Sequence, residues 1–169
     1  MSPALPDGEP VARDGSLPEH VRGAVGRAPF GFYVHIPFCA SRCGYCDFNT
    51  YTAQELPGVS RSSYVELILA ELRLARYVLR ERVPTVRTVF FGGGTPSLLP
   101  AGHLVAVLRE IDELFGLAAD AEITTEANPE SVTAAYLSRL REGGFNRLSL
   151  GMQSAVPEVL KVLDRQHTP

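Results

Sequence analysis

Cys39, Cys43 and Cys46 sit in the stretch YVHIPFCASRCGYCDFNTY at a spacing of C-x3-C-x2-C, and they are the only cysteines of the chain. An odd number poses a chemical question. Disulfide frameworks use thiols in pairs, and a tetrahedral zinc site needs a fourth donor, for which His35, four residues before Cys39, is the nearby candidate. Thiols acting as small buried hydrophobes fit poorly with a segment that also holds Gly, Arg and Asp. A cubic iron–sulfur cluster offers another answer: three soft thiolates bind three of four irons and leave the last iron open to a different ligand. Zinc and cluster both remain open on the cysteines alone.

Three other short segments interrupt the apolar periodicity with glycine or polar residues: Gly92 to Thr95, Glu126 to Asn128, and Gly151 to Gln153. A run of glycines lets backbone groups approach a ligand closely, since no Cβ intervenes. No Lys-Ser or Lys-Thr follows Gly94, so the run is not a phosphate-binding P-loop. Asn128 precedes Pro129, which is also good turn chemistry. His20, His103 and His167 stand alone and receive no role.

The elements that must carry these segments follow from apolar spacing. FGFYVHI from Phe30 reads as a first strand, and a long loop from Pro37 to about Ser60 carries the cysteines. Ser62 or Ser63 can cap a helix with Val65, Ile68, Leu72, Ala75 and Leu79 on one face, and Pro84 ends it. VRTVFF is a second strand, apolar enough for burial on both sides, and a helix from Ala101 follows with Leu104, Val107, Leu108, Ile111 and Leu114. AEITTEANP gives a third strand. SVTAAYLSRLREGG gives a helix with Ser131 as N-cap and Gly143 or Gly144 as its stop. FNRLSLGMQ is a fourth strand, and VPEVLKVLDR opens a last helix. This alternation predicts an α/β fold with right-handed crossovers and a parallel sheet, whose site lies at the carboxyl ends of the strands. Residues 1–28, rich in Pro, Gly and charge, read as a flexible leader, and residues 29–169 as the ordered domain.

Composition narrows the class of function. A net charge of −3 and a pI near 5.8 argue against a surface built to neutralise phosphates, so no nucleic-acid partner is expected. No apolar run nears the roughly 20 residues that a bilayer span needs. The polar N-terminus does not resemble a signal peptide, so a cytoplasmic, reducing location is expected.

C-x3-C-x2-C with an aromatic residue, Tyr45, before its last cysteine resembles the cluster motif of the radical S-adenosylmethionine (SAM) superfamily. FFGGGTPS after the second strand, EANPE after the third and GFNRLSLGMQS at the fourth extend the likeness. Together they resemble the family of oxygen-independent coproporphyrinogen III oxidase and the heme chaperone HemW, over about Phe32 to His167. The resemblance implies a partial, TIM-like β/α barrel and a 4Fe-4S cluster on Cys39, Cys43 and Cys46. Its open iron chelates SAM, and an electron from the reduced cluster cleaves the sulfonium to a 5'-deoxyadenosyl radical. Tyr33, Gly93 and Glu126 match the family's contacts to cluster-bound SAM; Tyr45, Gly94, Thr95, Gln153 and Arg165 match positions that in the oxidase face a second SAM.

Two departures shape the expectation. The oxidase carries a further cysteine two residues after the motif, and Phe48 occupies that position here, which resembles the HemW branch. The implied function is binding heme and passing it to acceptor apo-proteins, with an electron donor for the cluster, in place of oxidative decarboxylation of coproporphyrinogen in porphyrin biosynthesis. The oxidase and a small zinc-binding module are the alternatives. The family domain also runs on through further strands, so only about the first four β/α units of a truncated core domain are expected here, with an exposed sheet edge.

Overall fold

The structure is a computed structural model that describes residues 10, 12–52, 58–79, 83–165 and 167–169. Of the expected leader, residues 1–9 and 11 lie outside the described residues. Its described part includes a short helix, α1 (Glu19–Ala24), with Glu19 in the first turn, Arg22 in the last, and no buried residue. Those charges complement the helix dipole.

Four parallel strands, β1 (Phe30–Ile36), β2 (Val86–Gly93), β3 (Leu117–Ala127) and β4 (Arg147–Leu150), form one sheet in chain order. The crossovers carry α2 (Arg61–Leu79), α3 (Ala101–Phe115) and α4 (Ala134–Glu142), and α5 (Pro157–Val162) follows β4. The strand order never reverses. With right-handed crossovers, that places successive helices on one face of the sheet, as in a barrel wall, whereas a doubly wound sheet reverses order and covers both faces. The predicted α/β parallel architecture is the one observed.

The helix-covered face is the core. Val34 and Ile36 of β1, Val89 and Phe91 of β2 and Ile123 of β3 pack with Val65 and Leu72 of α2, Leu104, Leu108 and Ile111 of α3, and Leu140 of α4. The opposite face carries a row running across all four strands, in which Tyr33 pairs with Phe90, Phe90 with Thr124 and Thr124 with Arg147. Arg147 reaches the Thr124 hydroxyl at 3.4 Å and the Glu122 carboxylate at 3.8 Å on that face.

Two caps differ from expectation. Helix α2 is capped by Ser60, whose Oγ accepts from Ser63 N–H at 3.0 Å while Ser60 N–H donates to Ser63 Oγ at 2.9 Å. That reciprocal pair makes Ser63 the partner and not the cap. Helix α4 is capped by Thr133, whose Oγ1 accepts from Tyr136 N–H at 3.2 Å. Ser131 instead ends a 3-10 turn over Pro129–Ser131, with its hydroxyl held by the Asn128 backbone. Strand β3 begins earlier than predicted, because Gly116, at φ +75°, ends α3 with its N–H on Asp112 O and Leu117 enters the sheet at once. Strand β4 is shorter than FNRLSLGMQ suggested: before it Asn146 meets β3 through its side chain, its Oδ1 accepting from Ile123 N–H at 2.8 Å, and after it Gln153 at φ +62° bends the chain away. No described helix is long and apolar enough to cross a membrane.

Candidate functional site

The cysteine loop leaves β1 and is fastened at both ends. Tyr51 N–H donates to Pro37 O at 2.7 Å, and Cys39 N–H donates to Tyr51 O at 3.0 Å, so the loop closes on its own stem. Inside it, Cys46 N–H donates to Cys43 O at 3.1 Å, and the Arg42 guanidinium donates to Thr50 O at 2.7 Å. The end of β2 is tied to the same stem: Gly94 N–H donates to Ile36 O at 2.8 Å and Thr95 N–H to Phe38 O at 2.7 Å.

This contact explains the glycines. A Cβ at position 94 would lie 2.6 Å from Phe38 O and 3.0 Å from Cys39 Sγ, so only glycine lets the two segments touch. Gly93 adopts φ +113°, a region side chains avoid, and a Cβ there would lie 2.6 Å from the His35 ring. The run serves the protein's own packing first.

The ends of the next strands complete a rim. The Glu126 carboxylate at the end of β3 accepts from Gly93 N–H at 3.1 Å. Asn128 accepts from Arg165 Nη2 through Oδ1 at 2.9 Å and donates to Thr95 Oγ1 at 3.4 Å. Arg165, just beyond α5, also donates to Gly151 O at 2.7 Å and points Nη1 at Cys43 Sγ, 3.5 Å away. One guanidinium thus joins the cysteine loop to the ends of β3 and β4.

Between these segments lies a cleft of about 330 Å³. Cys39, Cys43, Tyr45, Cys46, Gly93, Gly94, Thr95, Glu126, Gln153 and Arg165 all line it. Tyr33 does not. It stands beside the cleft on the uncovered sheet face, 59% exposed and stacked on Phe90. Phe48 lines the cleft and is 68% exposed.

Burial pushes the Cys39 thiol above its usual range; hydrogen bonds with the Thr50 and Thr95 hydroxyls oppose this, and the neighbouring Cys46 and Cys43 add to it. Partial burial and then the nearby Glu126 carboxylate raise Tyr33 above the usual phenol range. Tyr45 is raised by burial and by Cys43, with Arg165 acting in the other direction.

The donor set can be tested against the two metal chemistries. All three thiols are free and partly accessible. Among the described residues no three His, Cys, Asp or Glu side chains converge as a site for a single ion. A zinc tetrahedron needs its donors within about 2.0–2.3 Å of one point. His35, the required fourth donor, has Nε2 2.8 Å from Asn49 O and Nδ1 2.8 Å from the Tyr33 hydroxyl, so both ring nitrogens are engaged. A cluster with several irons asks less of its ligands, because each thiolate binds a different iron. Three free thiols around one cleft fit that requirement.

Comparison with known proteins bears on this reading. A family model described as the radical SAM superfamily matches residues 33–169. The chain belongs to the radical SAM superfamily. A heme chaperone HemW of Mycobacterium tuberculosis (strain ATCC 25618 / H37Rv) is 52% identical over 141 residues, covering 83% of this chain and 36% of that protein. The heme chaperone HemW of Escherichia coli (strain K12) is 42% identical over 142 residues, with 83% and 36% covered. Among solved structures, the coproporphyrinogen III oxidase HemN of Escherichia coli, reported as a radical SAM enzyme, superposes with a TM-score of 0.74 at 29% identity, covering 91% of this chain and 35% of that one. The chain therefore spans about a third of the length of these relatives.

Sequence reasoning gave too little weight to Asn128 and misread Ser131. Ser97 Oγ and Ser131 Oγ share a hydrogen bond that joins the segment after β2 to the segment after β3. The Asn-Pro-x-Ser pattern was the available signal, but it reads equally well as a helix start. His167, left without a role, is nearly buried, 2.8 Å from Met152 O and 3.7 Å from Glu130.

Proposed function

We propose that this chain is the cluster- and SAM-binding part of a HemW-like heme chaperone, working in the cytoplasm with an electron donor. In this reading residues 29–169 are the N-terminal part of a radical SAM core domain and residues 1–28 a leader. Cys39, Cys43 and Cys46 hold a 4Fe-4S cluster, and heme is the cargo passed to acceptor apo-proteins. The observation that carries the reading is the single cleft shared by the three thiols, the glycine run, Glu126, Gln153 and Arg165.

When bound, the cluster supplies an open iron for the amino and carboxylate groups of SAM and a source of one electron. The chain's own residues would do the rest. Glu126 offers negative charge to the ammonium, and Gly93 gives close backbone approach beside it. Tyr33 stands at the outer edge with a neutral hydroxyl. Tyr45, Gly94, Thr95, Gln153 and Arg165 border the other side of the cleft, where the guanidinium suits a carboxylate.

Phe48 favours the chaperone over the oxidase, since it fills the position of the oxidase's further cysteine and lies on the cleft. Identities of 52% and 42% to HemW proteins against 29% to HemN support the same choice. Anaerobic reconstitution with iron and sulfide should give the absorbance and EPR signal of a 4Fe-4S cluster, perturbed by SAM. Replacing any one of the three cysteines with Ala should abolish it. A colourless chain with stoichiometric zinc would overturn the cluster. In a chain extended to the length of its HemW relatives, heme should transfer to an apo-acceptor, and repeated decarboxylation of coproporphyrinogen would sink the chaperone reading.

A further inference from the structure

We propose that His35 is a positioning residue of this site: it fixes the Tyr33 hydroxyl, the loop behind Cys46 and the Gly93 backbone in one frame, and it is not a metal ligand. The proposal rests on the cofactor reading of the cleft given above.

The geometry selects the tautomer of the neutral ring. His35 Nε2 lies 2.8 Å from Asn49 O, and a carbonyl oxygen can only accept, so Nε2 carries the hydrogen. Nδ1 of the neutral ring is then an acceptor, and it receives the Tyr33 hydroxyl at 2.8 Å. A phenol holds its proton at neutral pH and so has it to donate. Tyr33 and His35 are two residues apart on one strand and share a face, which is what brings ring and hydroxyl together.

The ring also supports the glycine run. A Cβ at position 93 would lie 2.6 Å from both Cε1 and Nδ1, so the Gly93 backbone packs against the imidazole. Gly93 N–H, held there, donates to Glu126. The backbone of His35 is itself fixed, because its carbonyl accepts from the Tyr64 hydroxyl of α2 at 2.9 Å. One imidazole therefore links three groups at the site, two of which, Tyr33 and Gly93, are proposed to touch SAM.

Phenylalanine at position 35 keeps a flat ring, somewhat larger than imidazole, and removes both polar contacts. In the reconstituted chain His35→Phe should retain the parent's iron and sulfide content, while SAM affinity per cluster, read by equilibrium dialysis, falls roughly tenfold, the scale of one lost hydrogen bond to a charged group. Tyr33→Phe should weaken SAM binding similarly. The double variant should fall short of the product of the two single effects, since the hydroxyl contact is common to both changes. Loss of cluster in His35→Phe with the fold retained, together with histidine-nitrogen coupling in the EPR signal of the parent cluster, would make the histidine a ligand and overturn the proposal, as would fully multiplicative weakening in the double variant.

A second readout needs no cofactor. Nitrogen-15 NMR of the metal-free chain should find His35 protonated at Nε2 with Nδ1 as an acceptor, and a ring protonated at Nδ1 overturns the role whatever SAM does. A parent chain that takes up neither cluster nor SAM overturns the cofactor reading and the positioning role with it; an Nε2-protonated ring then identifies the cofactor reading as the point of failure.

Discussion

On one face of the sheet Val34, Phe91 and Ile123 lie beneath α2, α3 and α4, while on the other Tyr33, Phe90, Thr124 and Arg147 cross the strands with no helix of the described residues packed over them. The same four strands thus serve two purposes through the two-residue alternation of side chains. The covered face stabilises by removing apolar area from water, whereas the other presents polar and aromatic groups next to the cleft. Stability and chemistry should therefore separate by face. Phe91→Ala should cost about 3–5 kcal/mol in urea unfolding, because the residue is fully buried and the space it leaves cannot collapse completely. Tyr33→Phe, one row away on the exposed face, should shift stability by less than about 0.5 kcal/mol. Comparable losses from both would break the distinction.

The two faces meet at the rim, and Gly94 sharpens the comparison there. Gly94→Ala places a Cβ 2.6 Å from a backbone carbonyl that no rotamer change can move. We expect a loss of about 1–3 kcal/mol. We also expect reduced cluster uptake on reconstitution, since the stem of the cysteine loop must shift to make room. Wild-type stability together with full iron content would show that the contact between Gly94 and Phe38 matters to neither face.

The covered face was the more legible of the two in the sequence. Val65, Leu72, Leu104, Leu108 and Ile111 recur at helical spacing, and burial follows that spacing because one side of each helix meets the sheet. The order of strands followed from the alternation of elements, and with it the convergence of the glycine run, Glu126, Gln153 and the cysteines on one rim. Local hydrogen-bond chemistry was harder to read. Ser60, Ser62 and Ser63 are equivalent as letters, and which one caps α2 depends on where the loop from the cysteines delivers the chain. Ser131 was misread for a related reason: its partners, Ser97 and the Asn128 backbone, are brought to it by tertiary structure. Tyr33 and His35 could be placed on one strand face, but nothing in the sequence put Asn49 within reach of the imidazole.

The Ser60 cap gives a smaller effect, on the covered side alone. Ser60→Ala leaves Ser63 N–H without its acceptor at the start of α2 and should cost about 1 kcal/mol. Ser62→Ala should be nearly neutral by the same urea measurement. If the two variants lose equal stability, the assignment of the cap fails, while the separation between the faces stands.

The smallest effect expected is a pH slope that belongs to the cleft side. Burial is the main cause that raises the Cys39 thiol above its ordinary value of about 9, so between that value and the raised one the folded chain holds the proton that the unfolded chain has released. The folded state binds more protons in that window, and stability must fall as pH climbs through it. Below about pH 8 both states keep the thiol protonated and the contribution is flat. Tyrosines raised by burial, Tyr64 and Tyr136 among them, add losses of the same sign at still higher pH, with Tyr136 pushed up to about 12. The cysteine can be isolated by comparing the metal-free parent with Cys39→Ser, because a serine hydroxyl does not titrate in this range. The urea midpoint of the parent should decline between pH 8 and 10 more steeply than that of Cys39→Ser. Parallel slopes would mean that the thiol ionises as readily in the folded chain as in the unfolded one, and burial at the cleft would then have no part in holding its proton.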